Sequence, residues 1–219
     1  MPTQLELIDR LAAIPYTGAV SDILDEMGYA HQVLPPEIRS IQPGQTLAGR
    51  ALTVAGERST GRPRDDYFLP FLKMLGSIAP GDVVVSQPND RTIAHFGELS
   101  CETAKFRGGR GVVIDGGIRD IHYILKLGFP AFVRYQTPQD IVGRWRLTET
   151  NVPITIGEVH LRSGDFVLGD RDGVVIIPQA VAEDVIAKAE AVVHTEDAVR
   201  QAILKGVHPV EAYEKFGRF

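Results

Sequence analysis

Glu98, Arg119 and Asp120 are the residues whose types and spacing could do chemistry. Arg119 stands directly beside Asp120. Twenty residues separate Glu98 from the pair, within the run GELSCETAKFRGGRGVVIDGGIRD from Gly97 to Asp120. Asp120 offers hard oxygen ligands, and Arg119 offers a fixed fork of donors for a carboxylate or an enolate oxygen. A glycine-bordered carboxylate, a guanidinium and a second carboxylate at chain reversals are what holding a divalent cation and a small anion requires. A surface ion pair, with Asp120 in a first helical turn where acids are favoured, is the alternative reading of the same two residues.

The elements that must position these groups are legible around them. A helix is expected over Glu98–Arg107. Gly97 lets the backbone approach a ligand closely. The amides of Glu98, Leu99 and Ser100 fall among the unpaired donors of the first turn, which together with the helix dipole favour a carboxylate or phosphate. Gly111–Ile114 reads as a buried strand. The Asp115-Gly116-Gly117 that follows implies a tight reversal at the strand's C-terminal edge, where open α/β sheets place ligands. Asp115 reads as a turn acid bonding backbone amides. Arg119 to Leu127 reads as the next helix, and Ala131 to Tyr135 as a strand.

The rest of the chain supplies a scaffold. Thr3 to Ile14 is expected to be helical, with Leu5, Ile8, Leu11 and Ala12 on one side and Pro15 ending it. Ala19 to Met27 follows as a short helix capped by Gly28. Thr46 to Gly56 alternates in part and reads as a strand, Arg58 to Asp66 as a polar loop, and Tyr67 to Ile78 as a helix. Pro80-Gly81-Asp82 feeds the buried run Val83 to Val85, and Ser163-Gly164-Asp165 repeats the device before Phe166 to Leu168. Asp172-Gly173 is a hairpin signal before Val174 to Ile177. From Gln179 to Gly206 a long helix carries the apolar stripe Val181, Val185, Ala189 and Val192, suited to packing on the body or on a neighbouring subunit. The expected organisation is a single domain over residues 1–219, with 179–219 as a helical C-terminal extension.

Composition excludes several functions. With 219 residues, 44% hydrophobic and 23% charged, the chain has the material for a large core. A net charge of −5 without a basic block argues against nucleic acid. No run approaches the ~20 apolar residues of a membrane span, and no secretory leader is visible. The single cysteine, Cys101, allows no disulfide framework within the chain and fits a cytoplasmic setting. It reads as a small buried residue rather than a nucleophile. None of the six histidines stand at HxH or HxxxH spacing, so a histidine zinc site has no support. His95 and His122 flank the motif and read as partly exposed residues, with lining of the site as the alternative. Lys105 and Lys126 lack the apolar surroundings that a Schiff-base lysine needs.

The Gly97–Asp120 run, followed by LGFPAF at Leu127–Phe132, then Pro153, Gly164-Asp165 and GDRDGVV at Gly169–Val175, strongly resembles the RraA-like family over roughly residues 17 to 180. That family includes the 4-hydroxy-4-methyl-2-oxoglutarate aldolases, which are class II pyruvate aldolases, and a non-enzymatic regulator of ribonuclease E activity. The resemblance implies a layered α-β-β-α sandwich like the swivelling phosphohistidine domain, and a homotrimer or homohexamer with its site between subunits. It implies that Asp120 binds the metal, Mg²⁺ or Mn²⁺, that Arg119 steadies a pyruvate enolate, and that Gly97, Glu98, Leu99 and Ser100 hold the substrate carboxylate. Glu98 matches the acid at the head of the family's signature, often aspartate in the aldolases and absent from the regulator. The implied activity is therefore a metal-dependent lyase releasing pyruvate from a 4-hydroxy-2-oxo acid, with oxaloacetate decarboxylation beside it. A protein-binding regulator is the alternative.

Overall fold

The computed structural model describes residues 2–217, so the outer limits expected for the domain, at 1 and 219, lie outside the described residues. The chain opens with α1 (Gln4–Ala12) and α2 (Thr17–Glu26). The start of α1 is a capping box: Thr3 accepts from the Glu6 amide at 3.2 Å, and the Glu6 carboxylate accepts from the Thr3 amide at 2.6 Å. Its buried face is Leu7, Ile8 and Leu11. Leu5 and Ala12, expected on that face, are exposed. Gly28 takes a positive φ of 86° just past α2, as a C-terminal cap requires.

Next come β1 (Arg39–Ser40), the long β2 (Leu47–Arg58), α3 (Arg64–Ser77) and β3 (Asp82–Gln87). β4 (Ala94–Phe96), α4 (Glu98–Phe106), β5 (Gly111–Ile118), α5 (Ile121–Leu127) and β6 (Ala131–Gln136) form the middle of the chain. β7 (Trp145–Thr150), the small hairpin β8 (Ile154–Ile156) and β9 (Val159–Leu161), β10 (Phe166–Gly169) and β11 (Val174–Ile177) follow. A 3₁₀ turn at Gln179–Val181 then leads into α6 (Ala182–Leu204) and α7 (Pro209–Phe216). The stretch expected to be a loop over 58–66 is shorter than anticipated, because Arg58 ends β2 and Arg64 already opens α3.

The fold is mixed α/β. One nine-stranded sheet runs β1-β6-β5-β3-β2-β10-β11, with β4 paired to β5 and β7 paired to β2. Strands β2, β3, β5 and β6 are parallel neighbours, and β10 and β11 are antiparallel. β2 is the strand through which the sheet turns: its first residues pair with β10, its last with β7, and the register shifts at Ala55/Gly56. Gly81 and Gly164, at φ 90° and 98°, make the two matching turns that feed β3 and β10.

Alternation along the strands divides the core in three. Val84, Val112 and Ile114 face α3, α4 and α5 together with Phe71, Met74 and Ala104. Val83, Val85 and Val113 point the other way, to meet Val167, Val174 and Ile176 in a central core. Phe166, Leu168, Val175 and Ile177 then face α1, α2 and α6. A strand buried on both faces reads as a continuous apolar run, as Val83 to Val85 does. Val185, Ala189 and Val192 of α6 are buried against α1 and α2, so the stripe packs on the body of its own chain, with Val181 partly buried beside it.

Trp145 is buried and its Nε1 donates to the Pro88 carbonyl at 2.8 Å, which pins the ring over Gly56. A Cβ at position 56 would overlap the indole. Gly56→Ala is therefore expected to lower the unfolding free energy by about 1–3 kcal/mol, the usual cost of overpacking. Urea denaturation measures this; an unchanged midpoint would mean that the indole gives way freely.

Candidate active site

β4 and β5 run parallel, with Ala94 opposite Gly117 and Phe96 opposite Ile118. Each strand therefore ends at the same edge, and each feeds a helix: Gly97 leads into α4, and Arg119-Asp120 leads into α5. The Arg119 amide donates to the Phe96 carbonyl at 3.1 Å, so the pairing extends to the residue where the chain turns. This brings together the two ends of the run that carries Glu98 at its head and Arg119-Asp120 at its foot.

Two expectations are corrected here. The reversal does not fall at Gly116-Gly117, because β5 continues through both to Ile118. Those glycines are sites of close approach instead: a Cβ at 116 would lie 2.6 Å from His95 Nδ1, and one at 117 would lie 2.6 Å from the Ile93 carbonyl oxygen. The turn comes at Asp120, which adopts the left-handed conformation, φ 61° and ψ 33°, and α5 begins only at Ile121. Aspartate is among the few non-glycine residues that tolerate this region. Asp115 is likewise no turn acid. It sits within β5 and pairs with the largely buried Arg134, which also reaches Glu37 at 3.0 Å.

The left-handed turn aims the Asp120 carboxylate away from its own helix, for which it provides no side-chain cap. Asp120 Oδ2 instead accepts from the Glu98 amide at 3.2 Å and lies 3.4 Å from Arg119 Nε. Gly97 is needed for this contact: a Cβ there would stand 2.6 Å from Asp120 Oδ2 and 3.2 Å from the Arg119 side chain. Its backbone is extended, so the requirement is one of space rather than torsion. One first-turn amide of α4 is thus taken by Asp120. Gly97 offers no side-chain cap of its own, and Leu99 and Ser100 line the cleft with their amides at the helix start.

The cleft is open to solvent and has a volume of about 190 Å³. Gly97, Glu98, Leu99, Ser100, Arg119 and Asp120 all border it, so the structure gathers the residues that the resemblance assigns to the site. It adds residues that the sequence did not mark: Phe68 and Phe71 from α3, and Asp140 and Ile141 from the segment after β6. Asp140 Oδ2 lies 3.9 Å from Arg119 and its Oδ1 3.4 Å from Arg144. Only the Gln-Asp pair after Pro138 hinted at a turn here, and nothing in its spacing linked it to the motif.

Three carboxylates, Glu98, Asp120 and Asp140, line the cleft against the single guanidinium of Arg119. The surplus of negative charge suits a cation. Among the described residues no three His, Cys, Asp or Glu side chains converge as a ready-made metal cage. This donor set fits a hard divalent ion that takes one or two protein carboxylates and completes its shell with water and substrate oxygens, as Mg²⁺ commonly does. Asp120 is fixed at the cleft by the backbone amide of Glu98.

Cys101 lies fully buried in α4, and burial, then the nearby Asp120 charge, push its thiol far above the usual range, so it is no nucleophile at neutral pH. His122 is exposed and stacks edge-on with Tyr123 away from the cleft. His95, expected to be partly exposed, is 2% exposed and borders the cleft. Burial lowers its pKa to about 4, against the opposing pull of Asp90.

Residues 17–176 match the family model described as RraA-like, Aldolase/RraA. A protein of Halalkalibacterium halodurans, provisionally named 4-hydroxy-4-methyl-2-oxoglutarate aldolase, is 33% identical over 96% of this chain and 94% of its own. An uncharacterized Pseudomonas syringae protein of known structure superimposes with a TM-score of 0.85 at 28% identity, covering 98% of this chain and 96% of that one. RraAS2 of Streptomyces coelicolor, described as an unusual member of the RNase ES inhibitor RraA family, gives 0.80 at 26% identity over 92% and 99%.

The neutral, buried His95 sets a pH dependence. An unfolded histidine titrates near its ordinary 6.5 and the folded one near 4, so between these values the unfolded chain binds more protons. Stability is expected to fall as pH drops from about 6.5 to about 4, by roughly 3 kcal/mol in all. Denaturant titrations across this window should show that slope in the wild type and a flatter one in His95→Gln. An equal slope in both would place the sensitivity elsewhere.

Proposed function

The chain belongs to the RraA-like family, and from this premise we propose that it is a divalent-cation-dependent lyase that cleaves a 4-hydroxy-2-oxo acid to release pyruvate. The observation that carries the reading is the convergence of Arg119, Asp120 and the start of α4 on one cleft. The name of the Halalkalibacterium relative supports it.

Asp120 would hold Mg²⁺ or Mn²⁺, with Glu98 within reach directly or through water. A hard cation bound there would supply Lewis acidity toward the substrate carboxylate and 2-oxo oxygen. The free amides at the start of α4 hold the substrate carboxylate. The 4-hydroxyl loses its proton to a base as the C3–C4 bond breaks. The hydroxyl carbon leaves as a carbonyl, and the electron pair of the broken bond passes into the enolate. Arg119 donates to the 2-oxo oxygen as charge gathers on it. Glu98 stands where it can hold the water that accepts the 4-hydroxyl proton. Protonation at C3 then gives pyruvate. Oxaloacetate yields the same enolate by losing carbon dioxide, so its decarboxylation accompanies the main reaction.

A homotrimer or homohexamer belongs to the same proposal. Leu99, Phe106 and Tyr123 leave large apolar side chains exposed on α4 and α5, the helices that flank the cleft, which supports burial of this face against another copy. A non-catalytic regulator is the alternative, and the Streptomyces relative's description keeps it in view.

Chelation is expected to abolish pyruvate release, and Mg²⁺ or Mn²⁺ to restore it. Full activity in chelator, with borohydride trapping substrate on a lysine, would replace this mechanism with Schiff-base chemistry. Arg119→Lys keeps the charge but loses the planar fork. A loss on the order of 2.7–4 kcal/mol of transition-state stabilisation is expected, read as a fall in kcat with the thermal midpoint held. An unchanged kcat would return Arg119 to a surface ion pair. Glu98→Gln should slow turnover or weaken cation binding by at least ~10-fold. If neither moves, Glu98 is only a first-turn acid and the regulator reading gains.

A further inference from the structure

We propose that His95 is a positioning residue: by accepting the Gly117 amide on Nδ1 it fixes the end of β5, and with it the turn that presents Arg119 and Asp120 to the cleft.

The geometry assigns each ring nitrogen. The Gly117 N–H donates to His95 Nδ1 at 3.3 Å, so the ring proton of the neutral imidazole resides on Nε2. Nε2 is buried and lies 3.4 Å from Asp90 Oδ2, within ion-pair range but out of line for a hydrogen bond. Trp145 packs edge-on against the ring with centroids 5.1 Å apart. Gly116 leaves the space that the ring fills. The imidazole is therefore held from three sides and touches β5 where the register of its pairing with β6 shifts, between Ile114 and Gly117.

Asp90 is itself anchored. It accepts from the Thr92 amide at 2.9 Å, the Thr92 hydroxyl at 2.8 Å and the Ile93 amide at 3.2 Å, and Arg58 Nε stands 3.5 Å away. A line of contacts thus runs from the Asp90 turn through His95 to Gly117, two residues before Arg119. The same arrangement rules His95 out as the general base. Its only acceptor nitrogen already faces a backbone N–H, and its neutral form persists well below pH 7.

The family resemblance does not assign this role, and the proposal rests on the lyase reading only for its kinetic readout. Asparagine places an oxygen near the position of Nδ1, whereas glutamine reaches toward that of Nε2. Leucine fills the space with no acceptor. His95→Asn, His95→Gln and His95→Leu would be compared for pyruvate release from oxaloacetate with Mg²⁺, and for amide hydrogen exchange at Gly117. The expected result is that Asn keeps kcat within about 3-fold of wild type, while Gln and Leu lower it by at least ~10-fold with a smaller change in KM. The Gly117 amide should exchange faster in Gln and Leu and stay protected in Asn. Similar kcat and exchange in all three variants, or an Asn variant as impaired as Gln, would overturn the proposal. If the leucine variant does not fold, the Asn and Gln pair decides. If the wild type releases no pyruvate from any 4-hydroxy-2-oxo acid, the lyase reading fails, and the amide exchange still decides the role of His95.

Discussion

The parallel pairing of β4 with β5 is the constraint on which the site depends. β4 is only three residues long, yet its register with Gly117 and Ile118 sets the start of α4 beside the turn at Asp120. Parallel neighbours end at the same edge and need a crossover between them, and α4 is that crossover. The first amide of α4 therefore faces the carboxylate that ends the next strand, and the hydrogen bond between Glu98 and Asp120 closes the unit. A helix start and a metal-ligand type of residue, distant in sequence, become neighbours because a short strand lies in register.

The close approaches around this pairing are made possible by absent side chains. Gly97, Gly116 and Gly117 lie against Asp120, His95 and the Ile93 carbonyl, in each case too near for a Cβ. Asp120 and Arg119 fill the space at Gly97, the His95 ring and Pro88 that at Gly116, and the Tyr135 ring with the Ile93 carbonyl that at Gly117. The conformation of Asp120 follows from the same economy. An ordinary N-cap is extended and turns its side chain onto the first amides of its own helix. The left-handed turn denies α5 that cap and delivers the oxygen to the cleft. A local cost of this kind at a carboxylate facing a cavity is consistent with function.

Charge and shape in the cleft complement one another. The polar side holds Arg119 among carboxylates at the C-terminal edge of the sheet. The apolar side is supplied by Phe68 and Phe71 of α3, with Phe71 packed edge-on against Phe96 at 5.5 Å. α3 follows β2 directly, and β2 is the strand that couples the two parts of the sheet, so the shape of the cleft depends on the whole curvature of the sheet rather than on the motif alone.

The sequence by itself determined the scaffold's punctuation and the residue types of the motif. Gly28, Gly81 and Gly164 marked turns that take positive φ, because only glycine adopts that conformation freely. The continuous apolar run at Val83–Val85 and the spaced stripe of α6 announced their burial, because periodicity is a local property of the chain. Glu98, Arg119 and Asp120 stood out by side-chain type, while their spacing alone left Arg119-Asp120 open to reading as a surface ion pair; the structure sets all three on one cleft. The tertiary structure alone decided where the chain reverses, since Gly116-Gly117 signals a turn equally well when it serves close packing. It also decided that Asp115 answers Arg134, that His95 is buried against Gly117, and that Phe68, Phe71 and Asp140 complete the cleft. Each of these rests on a partner far along the chain or on space left by a neighbouring strand, and local sequence carries no record of which residue will lie opposite.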